Sequence, residues 1–440
     1  MKAIKHCNPY DFQEAAMDYP FSPVKDFAKL EAAIAGLYGE AQAPGQTERY
    51  RGLLRGLEET FGPSEKVAVF SAPGRTEIGG NHTDHQHGRV LAGSVDLDVI
   101  AAVAPSGDRT IRIQSEGFPM AQVDLAQLEM RPEEANTSVS IIRGTAAWFQ
   151  RQGCRLEGFN AYVTSNVLKG SGLSSSAAFE VLVGNIINSL FFDGRCTPIQ
   201  LAQIGQYAEN VYFGKPSGLL DQMGSSVGGM VTIDFKDNAN PAVERVDFDF
   251  AATGHALCII DSGADHADLT DEYAAVPREL GEICAHFGKS VLREVPESEF
   301  YAALPVLRRK AGDRAVLRAI HIYEENRRVE KQVEALRRND FGAFLSLIRA
   351  SGLSSWRYLQ NVVPAGYTHH QEVALALALC EGLLGGRGAC RVHGGGFAGT
   401  IQAFVPLDML DGFRAEMERA LGDGACHVLT IRPVGGVRLA

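Results

Sequence analysis

A segment rich in glycine and serine near the middle of the chain is the feature that most constrains how this sequence can fold. Its residues are Lys169-Gly170-Ser171-Gly172-Leu173-Ser174-Ser175-Ser176-Ala177-Ala178. Glycines, then hydroxyls, then strong helix formers are typical of a loop that leads into the N-terminus of a helix. The first N–H groups of a helix lack intrahelical partners and carry partial positive charge, and serine hydroxyls can bond phosphate oxygens or Mg²⁺. The segment therefore predicts a phosphate-binding loop.

This phosphate loop differs from the common P-loop, Gly-x-x-x-x-Gly-Lys-Ser/Thr. Its nearby lysine, Lys169, precedes the glycines instead of following them. A different design of nucleotide site is therefore required if the loop holds phosphate. The alternative is that glycine and serine merely cap a helix, and the segment alone leaves both interpretations open.

The composition favours a protein that acts on small molecules. The chain has 440 residues, 45% of them hydrophobic and 22% charged, and its net charge is −11. Length and composition predict about two or three globular domains, and the negative charge argues against a nucleic-acid or anionic-membrane partner. The eight cysteines form no Cys-x-x-Cys pair, the N-terminus has no apolar targeting core, and no apolar stretch is long enough to span a bilayer. We therefore expect a cytoplasmic protein with reduced thiols.

Hydrophobic periodicity alternates between helical and extended patterns along the chain. Helical patterns cover 138–152, 174–192, 198–213, 271–287, 315–337, 341–351 and 371–384. Extended patterns cover 67–70, 90–104, 110–114, 160–164, 230–235, 256–261, 390–392, 401–405 and 427–430. The mixture predicts an α+β protein with a helical lead-in at 1–65, an N-terminal domain at 66–250 and a C-terminal domain at 251–440.

A second segment, residues 72–88, combines glycines with an unusual density of polar side chains. The groups that could bind a metal ion are those of His82, Asp84, His85 and His87. Alternation along an extended chain would separate His82 from His85 and His87, so no clear tetrahedral set emerges. The same carboxylates, amides and imidazoles could instead recognise the hydroxyls of a polyol, or form an ordinary surface loop.

Two further segments carry weaker signals. Residues 214–218 break a helix shortly before Asp221, which alone is compatible with a helix cap or a catalytic carboxylate. Residues 392–399 form a glycine cluster ahead of a predicted strand.

Taken in order, the four segments resemble the GHMP small-molecule kinase superfamily and, within it, the galactokinase family. The resemblance covers about residues 66–440 and includes Ile260-Asp261-Ser262, Glu272-Tyr273 and the helical stretch 319–329. It implies a two-domain α+β architecture, with a ribosomal-S5-domain-2-like N-terminal half, a ferredoxin-like C-terminal half and the active site between them. It also implies Mg²⁺-dependent transfer of the γ-phosphoryl group of ATP to the anomeric hydroxyl of a sugar, and the first candidate for that sugar is D-galactose.

The resemblance assigns a role to each candidate residue. Asp221 would be the catalytic base and Arg75 its cationic neighbour. The phosphate loop would bind ATP through Gly170, Ser171, Gly172, Leu173, Ser174, Ser175, Ser176 and Ala177. Magnesium would be held by Ser175, Ser176 and Glu209. The sugar would be contacted by Asn81, His82, Asp84, His85 and Tyr273.

The departures from the family pattern fall on the sugar side. Galactokinases usually read Gly-Arg-x-Asn-x-Ile-Gly-Glu-His-x-Asp-Tyr, and here Glu77, Gly79, Asn81 and His85 replace the Asn, Ile, Glu and Tyr. The family glutamate contacts the 6-hydroxyl, which Asn81 would do through its amide. Losing that carboxylate also removes repulsion against an acidic sugar, and residues 82–88 are similar to plant galacturonate kinases. Galacturonate is therefore the second candidate substrate.

A non-catalytic sugar and ATP sensor is the alternative from another functional class. Such relatives tend to lose part of the phosphate loop, whereas this chain retains residues 174–178 together with Arg75, Glu209 and Asp221. The retained residues favour catalysis.

Overall fold

The structure is a computed structural model that describes residues 27–168, 172–215, 217–264 and 269–440. It is a mixed α+β protein, as the sequence predicts, and its described strands form two sheets. The strands are β1 (Ala68–Gly79), β2 (Arg89–Pro105), β3 (Thr110–Ser115), β4 (Ala121–Asp124), β5 (Phe159–Ser165), β6 (Met230–Asp234), β7 (Ala242–Arg245), β8 (His255–Asp261), β9 (Ala389–Val392), β10 (Thr400–Pro406), β11 (Cys426–Leu429) and β12 (Val437–Arg438).

Seven of the described helices lie close to the stretches that periodicity predicts, two belong to the predicted helical lead-in, and the four at 220–227, 297–302, 304–310 and 410–421 are not among the predicted stretches. The helices are α1 (Phe27–Tyr38), α2 (Ala43–Phe61), α3 (Ser138–Arg151), α4 (Ser175–Phe191), α5 (Pro198–Tyr207), α6 (Leu220–Val227), α7 (Thr270–His286), α8 (Glu297–Ala302), α9 (Leu304–Lys310), α10 (Asp313–Arg337), α11 (Phe341–Ser354), α12 (Glu372–Leu384) and α13 (Leu410–Leu421). The predicted helix at 198–213 changes character after Tyr207, where a π-helical segment, Ala208–Phe213, continues it. A second π-helical segment, Ser355–Leu359, extends α11.

The first sheet has eight strands in the order β12-β1-β2-β5-β3-β4, with β6 paired to β2 and β7 to β6. Only the β3–β5 pair is parallel among the described strands. The second sheet has the order β11-β8-β10-β9 and is antiparallel throughout its described pairs. One hydrophobic core includes residues of both sheets, such as Ala101, Ile259 and Phe404. The two halves of the chain are therefore joined by shared apolar packing.

Strand β1 is longer than the sequence predicts. The sequence indicates a strand over 67–70 and a polar loop over 72–88, but β1 continues to Gly79. Its pairing with β2 changes register between Pro73 and Arg75 and again between Glu77 and Gly79. Such bulges absorb an irregular residue, bend the strand and re-aim its side chains, so proline and glycine do not end it. The loop is confined to residues 80–88, which we call the histidine loop.

Helix α10 fixes the backbone of the histidine loop and of the residue that follows it through three buried side chains. The bonds join Glu325 Oε1 to the Gly80 N–H (3.2 Å), His321 Nε2–H to the Asn81 carbonyl (3.0 Å), and Asn326 Oδ1 to the Arg89 N–H (2.7 Å). Burial lowers the pKa of His321, so its ring is neutral and donates from Nε2. Hydrogen bonds from α10 therefore hold the backbone of the loop in this conformation.

The helical lead-in packs on the first sheet around a buried carboxylate. Asp98 on β2 is fully buried and accepts hydrogen bonds from Tyr38, Arg49 (2.6 Å), Ser71 and Arg432 (2.9 Å). Burial would raise the pKa of Asp98, but the two arginines lower it. Residues 1–26 of the lead-in lie outside the described residues. In the part of the chain that the structure describes, every helix is too short or too polar to cross a membrane.

Candidate active site

Arg75 and Asp221 meet between strand β1 and helix α6. Arg75 donates from Nε and Nη2 to Asp221 Oδ1, at 2.8 and 2.6 Å, and from Nη1 to the carbonyl of Gly172. The Arg75 side chain is 7% exposed and that of Asp221 is 37% exposed. Helix α6 approaches Arg75 closely, because a Cβ on Gly224 would lie 2.8 Å from the Arg75 Cβ. The arginine is thus held in the interior while the carboxylate reaches solvent.

The second oxygen of Asp221 accepts a hydrogen bond from the hydroxyl of Ser174. Burial would raise the pKa of Asp221, but the positive charge of Arg75 and the Ser174 hydroxyl outweigh it and lower the pKa. The carboxylate is therefore ionised at neutral pH. Ser174, predicted to bind phosphate, instead directs its side chain to the predicted catalytic base.

We expect Ser174→Ala to raise the pKa of Asp221, because the variant loses a donor that favours the charged carboxylate. If ionised Asp221 is required, the acid limb of a kcat/KM profile would move to higher pH. Ser174 has φ 54°, so Ser174→Gly removes the same hydroxyl while relieving the left-handed backbone. An equal displacement in both variants and none in exposed Ser64→Ala is the expected result. A displacement in the alanine variant alone would assign the effect to the backbone.

The phosphate loop packs against β1 before it enters α4. The Arg75 N–H donates to the carbonyl of Leu173 at 3.0 Å, and a Cβ on Gly74 would lie 2.8 Å from that carbonyl oxygen. Leu173 and Ala177 are buried in the core, so their side chains anchor the loop and only their backbones remain for a ligand. The predicted ligand-binding residues Gly170 and Ser171 lie outside the described residues.

A cavity of about 580 Å³ opens beside the first turn of α4. Its wall includes the hydroxyl-bearing residues Ser175 and Ser176, the apolar side chains Phe179 and Val163, and Glu209. Apolar walls suit a flat ring, whereas the N-terminus of a helix of this length suits phosphate. The cavity thus combines the two surfaces that a nucleotide requires.

Glu209 lies in the π-helical segment after α5, where a π-turn often marks a functional residue. Its Oε1 contacts Lys215 Nζ at 3.2 Å, and its Oε2 accepts from Gln222 Nε2 at 2.9 Å. Gln222 Nε2 also bonds Glu180 Oε2 at 2.9 Å, and burial raises the pKa of Glu180 well above its usual value. Sequence reasoning missed Glu180 and Gln222. The only indication in the sequence is their position, because Glu180 lies one helical turn after Ser176 and Gln222 directly follows Asp221.

Two polar side chains of the histidine loop each lie against another of the candidate segments, 214–218 or 392–399. Asp84 lies beside the segment that precedes α6, because a Cβ on Gly218 would come within 2.3 Å of Asp84 Oδ2. His82 has φ 60° and its Nε2–H donates to the Gly395 carbonyl at 3.0 Å. Burial lowers the pKa of His82 to about 4, so the ring is neutral. His85 is exposed, with its Nε2 4.0 Å from Asp84 Oδ1. Among the described residues, no group of three or more His, Cys, Asp or Glu is arranged to hold a metal ion.

Asn81 differs from the sequence-based expectation. It is fully buried, and both amide hydrogens are used, on Glu77 Oε1 (3.1 Å) and on the carbonyl of Gly394 (2.7 Å). Its Oδ1 accepts from Ser355 Oγ (3.2 Å) and Asn361 Nδ2 (2.9 Å). A carboxamide has two donors and two acceptor lone pairs, and protein groups use all four. In this arrangement the amide has no capacity left for a sugar hydroxyl.

Three successive carbonyls of the glycine loop, residues 394–399, accept hydrogen bonds from the surrounding elements. Asn81 binds the first, His82 and Asn361 Nδ2 (3.2 Å) the second, and the hydroxyl of Tyr273 the third at 2.7 Å. Burial raises the pKa of Tyr273 to about 12. Tyr273, predicted to contact the sugar, is half-buried and directs its hydroxyl to the loop.

Two family descriptions and two curated relatives match this chain. Residues 57–105 match the family description "galactokinase galactose-binding signature", and residues 140–229 match "GHMP kinases N terminal domain". The galactokinase of Streptomyces coelicolor is 30% identical over 405 residues, which cover 91% of this chain and 99% of that protein. The galactokinase of Glaesserella parasuis is 30% identical over 370 residues, covering 81% and 90%.

Similarity to solved structures extends over most of the fold. The galactokinase of Lactococcus lactis, solved in complex with galactose, matches 88% of this chain and 99% of its own with a TM-score of 0.75 and 24% identity. The Methanococcus jannaschii mevalonate kinase matches 84% of this chain with a TM-score of 0.59 and 12% identity. The architecture is therefore the two-domain α+β fold of the GHMP kinases, and the identity to curated relatives narrows the assignment: the chain belongs to the galactokinase family, whose members are phosphotransferases with an alcohol group as acceptor.

Proposed function

We propose that this protein is an ATP-dependent sugar 1-kinase that converts D-galactose to α-D-galactose 1-phosphate. The observation that carries the proposal is the pairing of the Asp221 carboxylate with Arg75 and Ser174 next to the N-terminus of α4. The galactokinase relatives indicate which sugar is the substrate, and the geometry of the site indicates the type of reaction.

Asp221 would accept the proton of the anomeric hydroxyl as its oxygen forms a bond to the γ-phosphorus. The bond from that phosphorus to the bridging β-phosphate oxygen breaks, and ADP leaves. Arg75 holds Asp221 ionised and adds positive charge beside the transferring group. Asp84 and the neutral ring of His82 would orient the sugar hydroxyls, the latter with its free Nδ1 as an acceptor.

The residues beside the cavity fit a magnesium ion. Mg²⁺ prefers oxygen ligands, keeps several waters and is held by one or two carboxylates with substrate phosphates. Glu209 offers a carboxylate whose Oε1 is occupied only by the exposed ammonium of Lys215, and Ser175 and Ser176 offer hydroxyls. When bound, the ion would neutralise charge on the phosphates.

We expect Glu209→Gln to raise the Mg²⁺ concentration for half-maximal rate by at least about 10-fold. The amide oxygen can still accept from Gln222, so the fold should survive the loss of charge. The measurement is a Mg²⁺ titration of ADP release at saturating sugar and ATP. Glu244 forms an exposed ion pair with Arg337, so Glu244→Gln is the matched control and should leave the titration unchanged. An unchanged titration in Glu209→Gln would remove this residue from the metal site.

D-Galacturonate is a second candidate substrate, which one feature of the histidine loop favours. This loop carries an exposed imidazole, that of His85, and the residue at position 81 contributes no carboxylate that would repel an acidic sugar. A 6-carboxylate could accept a hydrogen bond from that imidazole.

The test is ADP release with D-galactose, D-galacturonate, N-acetylgalactosamine, D-glucose and L-arabinose offered separately. The proposal expects the highest kcat/KM with D-galactose and a product phosphorylated at C1. A higher value with D-galacturonate would establish the second candidate instead. Binding of ATP and sugar without turnover on any of the five would contradict both candidates and support a sensor.

A further inference from the structure

Four buried polar residues form one cluster where the first sheet meets the second. Glu77 on β1 is buried and its Oε1 accepts from Arg391 of β9 as well as from Asn81. Arg391 is fully buried and also donates to the carbonyls of Ile78 (2.9 Å) and Val392 (3.0 Å). Asn81 connects this ion pair to the glycine loop through Gly394. We call Glu77, Asn81, Asn361 and Arg391 the amide–acid cluster.

The cluster has one negative and one positive charge, which balance in a buried place. Burial raises the pKa of Glu77 even with Arg391 beside it, so the surroundings already disfavour one carboxylate. A second carboxylate at position 81 would replace a donor by an acceptor facing Glu77 Oε1 and the Gly394 carbonyl. An amide at position 81 is therefore coupled to an acid at position 77.

We propose that Asn81 is a positioning residue, which with Glu77 and Arg391 ties the histidine loop to the glycine loop and supports sugar binding through His82 without touching the sugar. The proposal rests on the proposed function and specifies how its sugar site is held. Its physical basis is that the Asn81 carboxamide is saturated by protein groups, while the neighbouring His82 bonds the adjacent carbonyl of the same loop.

The exchange of acid and amide also explains why the two unusual residues occur together. Relative to the family pattern, position 77 has gained a carboxylate and position 81 has lost one. Because the two side chains are hydrogen-bonded, the exchange keeps one carboxylate and one amide at positions 77 and 81 beside Arg391. The two departures act as a single change.

The direct test compares D-galactose with 6-deoxy-D-galactose in Asn81→Asp. This variant keeps the size of the side chain and replaces two donors by acceptors. We expect KM to rise by about 10-fold or more for both sugars, by factors equal within about 2-fold, with a much smaller change in kcat. If Asn81 contacts the 6-hydroxyl, the factors for the two sugars would instead differ by much more than 2-fold, because only D-galactose carries the hydroxyl whose interaction with position 81 changes. That outcome would overturn the proposal.

A double variant tests the coupling of the two positions. Glu77→Gln leaves Arg391 without its ion, Asn81→Asp adds a second acid, and the combined variant restores one of each without changing side-chain size. We expect the double variant to unfold at a higher temperature than Asn81→Asp and to recover at least about 5-fold in KM. Losses that simply accumulate would contradict the coupling. Exposed Asn238→Asp controls for added charge and should match the wild type.

If Asn81→Asp does not fold, Ser355→Ala tests the positioning role independently, because it removes only one donor to the Asn81 Oδ1. A rise of KM by about 2-fold or more that is equal for both sugars supports positioning. No rise, or a rise confined to D-galactose, opposes it. A wild type that fails to phosphorylate D-galactose would defeat the proposed function alone, since the unfolding temperatures still test the cluster.

Discussion

Replacing Asp221 with asparagine is expected to lower kcat by about 10²- to 10⁴-fold, the range that a general base contributes. Asparagine keeps the shape of the side chain, and its oxygen can still accept from Arg75, while the rotatable Ser174 hydroxyl can accept from the new amide. ATP should therefore bind nearly as before. The side chain is partly exposed, so the variant should also remain folded.

The measurement for Asp221→Asn is kcat for ADP release, together with the dissociation constant of ATP from calorimetry. Asp193→Asn, in an exposed pair with Arg195, is the matched control and should retain wild-type turnover. Turnover of Asp221→Asn within a few-fold of the wild type would mean that the anomeric proton leaves by another route. The role of Asp221 would then be limited to holding Arg75.

Periodicity predicts the elements of this chain where the local pattern and the packing agree. Helix α10 and strand β5 lie within a few residues of their predicted positions, because buried apolar residues recur at helical spacing in α10 and alternate along β5. Strand β1 was predicted too short, since Pro73, Gly74 and Gly79 usually interrupt strands, and bulges cannot be inferred from composition. The π-helical segment at Glu209 was also missed, because it continues the same helical face.

The site was predictable only where a motif fixed it. Arg75 and Asp221 are 146 positions apart, and only the resemblance to the galactokinase family predicts that they are neighbours in the fold. The position of Asn81 was not predictable from the motif, because it depends on Arg391, which is more than 300 residues away. The motif treats each departure separately, whereas the fold couples them.

A second departure shows the same dependence on distant residues. Gly79 replaces the isoleucine of the family pattern, and the side chain of Gln332 from α10 occupies the space beside it. A Cβ on Gly79 would lie 2.0 Å from Gln332 Oε1. A larger residue at 79 therefore requires the Gln332 side chain to move, so positions 79 and 332 are coupled by packing.

Replacing Arg75 with glutamine is expected to lower kcat/KM by about 10²- to 10³-fold, as for the loss of one preorganised donor to a developing charge. The variant would lose three hydrogen bonds at once, two to Asp221 and one to the Gly172 carbonyl. Because the charge of Arg75 lowers the pKa of Asp221, its removal should raise that pKa. Activity would then be lost at a higher pH than in the wild type as the solution is acidified.

Arg75→Lys separates the two contributions of the arginine, charge and geometry. Lysine keeps the positive charge, so the acid limb should stay closer to that of the wild type, but one ammonium cannot reproduce the planar fork that reaches Asp221 and Gly172 together. We therefore expect low kcat/KM with a nearly normal pH profile in Arg75→Lys, and both defects in Arg75→Gln. Exposed Arg55→Gln should change neither. If the two Arg75 variants have the same pH profile, Arg75 does not set the ionisation of Asp221, and its contribution is confined to the transferring phosphoryl group and the anchoring of the phosphate loop.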